Sequence, residues 1–348
     1  MDLFVYSHKK DCDGIFSAAI MKRYMEKRGL TGRINFIDYG PVKEIRAIFE
    51  EMKKVPPKST IVIVDFGNNE EMEAMQLDVF NVLKKNGSDI FWLDHHMWRD
   101  EFKTKLAGVV DLTVTATGDE FCGAELAYRK FMPDDEISSA LAKLGRDSDI
   151  DMWKRKPPTP KYSLTVPIGN LITYYNYMAG DDYAKRRDML LKIVEKVSST
   201  SLENLLEEDL TKPIFDKELQ MDYTKYLAAS SEKLDECLKS TEIFKVNGYA
   251  AAVGRVEPLI SSTEAGNSII RRYGVDVAVV MSGKTGLSVR RNNDRSEIDC
   301  SEIAKMFNGG GHVFAAGGRL DFEINTDADV KKAKETVKSR VTDYLSKK

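Results

Sequence analysis

Histidine and cysteine are both scarce in this sequence of 348 residues, with four of each. Cys12, Cys122, Cys237 and Cys300 are scattered and form no CxxC pair, which argues against a disulfide framework and against a zinc ribbon. No apolar run approaches the roughly 18 residues that a membrane span requires. The opening, Met1 to Lys10, has four apolar residues in a row and an early acid, which reads as too short for a signal peptide. These absences point to a cytoplasmic protein with no membrane partner. Neither sign of charge dominates: 52 basic and 55 acidic residues leave a net charge of -3. That excludes the high-pI footprint of many duplex-binding proteins, but it leaves room for a local anion site. With 42% hydrophobic and 31% charged residues, the composition is that of a folded chain. The length suggests two to three domains at roughly 150 residues each.

The first part of the chain alternates short β-branched runs with amphipathic stretches. Strands are predicted over Leu3–Ser7, Arg33–Asp38, Thr60–Phe66 and Asp89–Leu93, and helices over Gly14–Lys27, Val42–Lys54 and Glu70–Lys85. The Thr60–Phe66 run is continuously apolar, as a strand buried on both faces should be. This rhythm implies a parallel sheet with helices on both faces, and such sheets bind ligands beyond the carboxyl ends of their strands. Pro157-Pro158-Thr159-Pro160 reads as a boundary. The stretch from Ile168 to Ser240 reads as helical, rich in Lys, Glu and Leu. Strands then return at Tyr249–Gly254, Val275–Met281 and Leu287–Arg291, with helices over Ser262–Tyr273 and Ala328–Leu345. The expected architecture is α/β: an N-terminal parallel-sheet domain over 1–160, a helical connector over 161–241 and a smaller C-terminal α/β domain over 242–348.

The few histidines sit beside acids or glycines. Ser7-His8-Lys9-Lys10-Asp11-Cys12-Asp13-Gly14 follows the first strand, and mixed carboxylate and imidazole sets suit Mn²⁺ or a similar octahedral ion. The plainer reading makes Asp13 the cap of the first helix. Asp65 ends a buried strand, which is a common place for a ligand and for a cap. Asp94-His95-His96 follows another strand, and an acid with two adjacent imidazoles is hard to explain by packing. Asp147, Asp149 and Asp151 close a predicted helix, where the macrodipole disfavours acids and a bound cation would offset it. All four loops fall at one end of one sheet. So many carboxylates would repel one another unless cations lie between them. Two divalent ions about 3.5–4 Å apart can bind a phosphate, activate water and stabilise a leaving oxygen. In the C-terminal part, Asn308-Gly309-Gly310-Gly311-His312 reads as a backbone nest for an anion, and Ser288-Val289-Arg290-Arg291 places two guanidinium groups at a strand end for phosphate contact. The plainer reading there is a tight glycine turn beside a solvated arginine pair.

Taken in order, HKKDCDG, Asp65, DHH at 94–96, the acidic 147–151 segment, SVR at 288–290 and GGGH at 309–312 resemble the DHH phosphoesterase superfamily. The similarity is to its branch with a DHHA1 domain, which includes oligoribonucleases (nanoRNases) and RecJ-like proteins. The resemblance implies two Mn²⁺ ions, with Mg²⁺ as the substitute. His8 and Asp11 would hold one; Asp13, His95 and Asp149 (Asp147 as the alternative) would hold the other, with Asp65 bridging. Asp94 would orient its loop and His96 would sit by the scissile phosphate. Ser288, Arg290, Gly309, Gly310, Gly311 and His312 would bind substrate.

The implied activity is Mn²⁺-dependent hydrolysis of short single-stranded RNA or DNA. Small nucleotides, such as 3′-phosphoadenosine 5′-phosphate or a cyclic dinucleotide, are the alternative substrates. A catalytically silent replication-associated scaffold is the non-enzymatic alternative, although every motif here keeps its acids. The helical connector offers Tyr174, Tyr175, Tyr177, Lys185, Arg186 and Arg187 as a nucleic-acid track, an ordinary helix surface or a homodimer contact.

Overall fold

The computed structural model describes residues 2–39, 42–68, 70–96, 98–115, 120–155, 159–213, 215–295 and 297–348. Pro157 and Pro158, read as a boundary, lie outside them. The chain forms two compact units, 1–223 and 224–348.

The first unit contains β1 (Asp2–His8), α1 (Cys12–Arg28), β2 (Thr31–Ile37), α2 (Val42–Met52), β3 (Thr60–Val64), α3 (Glu73–Lys85), β4 (Asp89–Asp94), α4 (Asp100–Leu106) and β5 (Asp111–Val114). Helices α5 (Gly123–Phe131) and α6 (Glu136–Arg146) follow, then a π-helical turn over Asp147–Asp151 and the short α7 (Met152–Lys154). Helices α8 (Thr165–Ala179), α9 (Tyr183–Ser199) and α10 (Leu202–Leu205) complete it, and α11 (Lys217–Ser240) runs on into the second unit.

The sheet order is β2-β1-β3-β4-β5, with every pairing parallel. Strand alternation divides its core. Ile61, Ile63, Ile90 and Trp92 turn towards α2, α3 and α4, where Ile45, Phe49, Phe80 and Phe102 are fully buried. Val62 and Val64 turn to the other face, where α1 packs among α5, α6 and α9. Because all five strands run the same way, His8, Asp38, Asp65 and Asp94 come to one edge. Strand β5, absent from the sequence reading, adds the far edge.

Local chemistry fixes α1. Asp11 is its N-cap, accepting from the Gly14 amide at 3.0 Å, and Gly29 ends it at φ 59° behind Lys27 and Arg28. The cap is therefore Asp11, not Asp13, because Asp13 already lies inside the first turn.

The second unit contains β6 (Glu242–Val246), β7 (Tyr249–Val256), α12 (Ser262–Tyr273), β8 (Val277–Ser282), β9 (Gly286–Arg291), α13 (Cys300–Lys305), β10 (Gly310–His312), β11 (Ala315–Arg319) and α14 (Asp327–Leu345). Its sheet runs β10-β11-β9-β8-β7-β6; β7 and β8 are parallel and the other pairs antiparallel. Helix α12 covers one face through Ala265 and Ile269. Helices α13 and α14 cover the other around Phe307 and Val337. Among the described residues no helix is long and apolar enough to cross a membrane.

Candidate active site

At the carboxyl edge of the first sheet, His8 Nδ1 lies 2.5 Å from Asp11 Oδ2 and 3.8 Å from Asp65 Oδ2, and its Nε2 lies 3.6 Å from Asp38 Oδ1. Neither ring nitrogen makes a hydrogen bond of acceptable geometry, and both are buried. Asp65 Oδ2 is likewise buried without a hydrogen bond. Asp65 takes a left-handed backbone, φ 54°, just past β3, a conformation that costs a non-glycine residue about 1–2 kcal/mol.

A second group centres on His95. Its Nε2 stands 3.3 Å from Asp65 Oδ1, 3.4 Å from Asp149 Oδ2 and 3.9 Å from Asp13 Oδ2. These separations exceed ordinary hydrogen-bond lengths and leave space among one nitrogen and three carboxylates. Asp13 is held from below: Gly123 and Ala124 donate their amides to it at 2.6 and 2.9 Å, so it also caps α5 from 110 residues away. Gly123 is required there, since a Cβ would stand 2.6 Å from Asp65 Cβ and 2.9 Å from Asp13 Oδ2.

Three acids compete in the π-helical turn, and their surroundings separate them. Asp147 is buried and accepts from the Lys161 amide at 2.8 Å and the Thr165 hydroxyl at 3.0 Å, and it pairs with Arg155 at 2.7 Å. Asp151 pairs with Arg146 at 3.3 Å. Asp149 is the one brought to His95. A π turn adds a residue to the helical repeat, and such turns recur at functional sites.

Asp94 is fully buried and takes no direct place among the groups around His8 and His95. Its carboxylate shares a hydrogen bond with His96 Nδ1 at 2.8 Å and accepts from Trp98 Nε1 at 2.5 Å. His96 thus has one nitrogen fixed and the other directed away from Asp94, on a side chain 42% exposed.

The electrostatics are those of carboxylates crowded together in a buried place. Burial and repulsion from Asp13, Asp11, Asp94 and Asp149 push the Asp65 carboxyl well above its ordinary range. Burial and Asp13 push Asp149 up to about 6, against the pull of His95. Burial opposes charge on His8, but Asp11 and Asp38 outweigh it and raise its pKa to about 9. His8, Asp11 and Asp65 form one group able to hold a metal ion; Asp13, His95 and Asp149 form another, and Asp65 also groups with His95 and His96. The orphaned atoms of His8 and Asp65 and the hard oxygen and imidazole donors fit a divalent cation of the Mn²⁺ or Mg²⁺ type.

Sequence reasoning missed the support beneath His8. Asp38 follows β2 as Asp65 follows β3, so a signal was present. Lys10 pairs with Asp38 at 2.7 Å, and the buried Lys9 lies 3.7 Å from Asp38 and 2.7 Å from Glu44. Tyr39, also missed, stacks on Phe66 and meets the rings of His8 and His96 edge-on.

In the second unit, cross-strand register places His312, Ala315 and Arg290 in one row and Gly310, Gly317 and Ser288 two residues along, in the next row on the same face. Opposite residues share a face. Arg290 packs its stem against Gly266 of α12 and donates to the Thr263 hydroxyl at 2.5 Å. Ser288 is buried, while Gly310 and His312 are exposed. The glycine run lies in an edge hairpin: a Cβ on Gly309 would lie 2.0 Å from the Gly317 carbonyl oxygen, and one on Gly311 2.7 Å from Ala316 Cα, so the pairing itself calls for glycine there. The expectation of a paired arginine contact is corrected. Strand alternation sends Arg291 the other way, to the carbonyls of Arg295 and Ile298 at 2.8 and 3.0 Å.

The candidate nucleic-acid track is divided: Tyr177 and Lys185 are exposed and Arg187 is half-buried, but the other three residues are not available at the surface. Tyr174 and Tyr175 are buried, with Tyr175 donating to Asp222 at 2.7 Å, and Arg186 is buried against Glu44 at 2.9 Å.

The DHH family's N-terminal domain matches residues 2–146, and the DHHA1 domain matches residues 248–341. The chain is a DHH–DHHA1 protein. It is a phosphoesterase of that family, with the grouped carboxylates and imidazoles in or just beyond its DHH domain and the Arg290–His312 face in its DHHA1 domain. Its fold is similar to that of the exonuclease RecJ bound to manganese, at 17% identity and a TM-score of 0.52, covering 99% of this chain and 90% of that one. It is also similar to RecJ from Thermus thermophilus in complex with Mn²⁺, at 16% identity and a TM-score of 0.53, where the match covers 100% of this chain and 52% of that one. No curated protein matches the sequence.

Proposed function

We propose that this DHH–DHHA1 protein removes nucleotides from short single-stranded RNA or DNA, using two divalent cations with Mn²⁺ preferred, in the cytoplasm. The observation that carries the reading is the pair of carboxylate–imidazole groups joined through Asp65 at one sheet edge. His8, Asp11 and Asp65 would hold one cation, and Asp13, His95 and Asp149 the other. Bound there, the ions would supply Lewis-acid activation of water and of the phosphate.

The chain's own residues do the rest. Asp94 fixes the orientation of His96, and although burial lowers the His96 pKa, the Asp94 carboxylate outweighs it and keeps the ring protonated to higher pH. His96 therefore offers an N–H to a phosphate oxygen or to the departing oxygen. In the DHHA1 domain Arg290 and His312 supply charge and a donor for a second phosphate, and exposed glycines let the substrate backbone approach. RecJ's description as an exonuclease supports a nucleic-acid substrate, and the burial of Tyr174 and Tyr175 removes two of the three connector rings that a long track would use.

The test is a timed digest with Mn²⁺ of 5′-labelled RNA and DNA from two to about two dozen nucleotides, a range that brackets single-strand site sizes. A chelated control, a cyclic dinucleotide and 3′-phosphoadenosine 5′-phosphate run beside them. Rates that peak on the shortest strands are expected. Sustained laddering of the longest strand, or turnover of the small nucleotides alone, would overturn the substrate assignment.

A further inference from the structure

Helix α2 does not seal the edge of the first sheet. Between it, β1, β2 and the start of α9 lies a cavity of about 460 Å³, inside the ~300–1,000 Å³ range of small-ligand sites. Its residues belong to none of the metal-binding motifs. Aromatic rings of Phe4, Tyr6 and Tyr183 line it, with Ile48, Val55 and Pro56 as apolar walls. Burial holds both phenols above their ordinary pKa, Tyr183 at about 12, so each keeps its proton and remains a donor. The Asn35 amide and the Glu44 carboxylate add polar groups, and two exposed cations, Arg33 and Lys54, also line it. Lys54 pairs with Glu51, an exposed contact that a stronger anion can displace.

Flat aromatic walls, a few donors and acceptors and exposed cations describe one ligand class well: a planar heteroaromatic base joined to a phosphate. We propose that this cavity is a second, non-catalytic site for a nucleoside monophosphate, coupled to the metal site through Glu44. The base lies among the rings with its polar edge towards Asn35 and Glu44, and the phosphate meets Arg33 and Lys54.

The coupling runs through contacts already described. Glu44 lines the cavity and is held by Arg186 at 2.9 Å and by Lys9 at 2.7 Å; Lys9 also lies 3.7 Å from Asp38, which faces His8. A ligand that engages Glu44 changes its hold on Lys9, and with it the field at Asp38 and His8. By linkage, such a ligand and the metal alter each other's affinity by one common factor.

The binding arm holds whatever substrate is hydrolysed; only the coupling arm rests on the metal reading. Calorimetric titration of the full chain in chelator with AMP, GMP, CMP and UMP should show one site for at least one of them. Ala47→Trp, at an exposed α2 position on the cavity wall, should weaken that binding at least tenfold while Mn²⁺-dependent hydrolysis without added nucleotide stays the same. Arg33→Ala should weaken the nucleotide but not its nucleoside, an arm that does not depend on how the Ala47→Trp variant folds. No binding by any of the four, or binding lost in Arg290→Ala and kept in Ala47→Trp, would overturn the site. A Mn²⁺ affinity, read by titration without substrate, that changes at least threefold when the nucleotide is present supports the coupling. An unchanged affinity refutes it.

Discussion

Asp147 and Asp149 are two residues apart, and their surroundings demand opposite responses to one substitution. Asp147→Asn keeps the shape of the side chain but turns one acceptor into a donor among donors. The carboxylate is 2% exposed and serves the Lys161 amide, the Thr165 hydroxyl and Arg155. Hydrogen bonds to a charged group are worth ~1.5–3 kcal/mol each, and with two of three lost the cost is about 3–6 kcal/mol. For a unit of this size that lowers the melting temperature by roughly 6–24 °C, with or without metal.

Asp149→Asn should do the reverse when metal is removed. Its folded pKa of about 6 lies above the ordinary 3.8, so the unfolded chain ionises first. The folded protein therefore loses stability as pH climbs from 3.8 through about 6, and the loss is complete above that. The shift sets a ceiling of ~3 kcal/mol, which solvent screening of a side chain 31% exposed reduces to about 1 kcal/mol. In chelator at neutral pH the Asp149→Asn variant should melt about 2–4 °C higher than the parent. Mn²⁺ at about 100 times its dissociation constant should stabilise the parent by ~2.7 kcal/mol and the variant far less. Differential scanning calorimetry of the three proteins, each with chelator and with Mn²⁺, reads both effects. An Asp147→Asn protein that melts like the parent but loses the Mn²⁺ shift, beside an Asp149→Asn protein that keeps it, would reverse the two roles.

Other outcomes follow from the same contacts. The charged His8 stabilises the metal-free fold fully below its ordinary pKa of 6.5, and that stability is lost as pH rises through about 9; melting in chelator should fall across this window in the parent and stay flat in His8→Ala. Gly309→Ala, which presses a Cβ to 2.0 Å from the Gly317 oxygen, should cost the C-terminal unit about 1–3 kcal/mol in denaturant titration. Gly310→Ala meets nothing within 4 Å and should leave stability within about 0.5 kcal/mol while weakening oligonucleotide binding. Arg290→Ala should raise KM about tenfold with Mn²⁺ affinity unchanged, as expected for a lost charge-assisted phosphate contact. Arg291→Ala, whose guanidinium is engaged by the Arg295 and Ile298 carbonyls, should leave KM alone; a matching rise would restore the paired-arginine reading.

What the sequence made legible is what one strand and its following loop contain. Asp65 and Asp94-His95-His96 follow apolar runs, and parallel strands carry such positions to one edge without further information. The same rule applies to Asp38, but one acid after the less continuously apolar β2 run stands out less than a DHH triplet. Period-two alternation also carries the separation of Arg290 from Arg291, although the sequence reading pairs them. The glycine hairpin was hidden for a different reason: glycine has low strand propensity, so Gly310–His312 reads as a loop until β11 pairs with it.

The remaining structure is non-local and carries no motif. Asp13 is held by Gly123 and Ala124, Lys9 by Glu44, and Glu44 by Arg186, across separations of 110, 35 and 142 residues. These contacts set the spacing of the carboxylate–imidazole groups. A chain that kept HKKDCDG, DHH and DSDID but changed Gly123 or Glu44 would look unchanged by its motifs. With alanine at 123, a Cβ would press on both Asp65 and Asp13, and the two carboxylate–imidazole groups could not both keep their present positions. The motifs name the donors of this site, while the residues packed beneath them determine whether those donors converge.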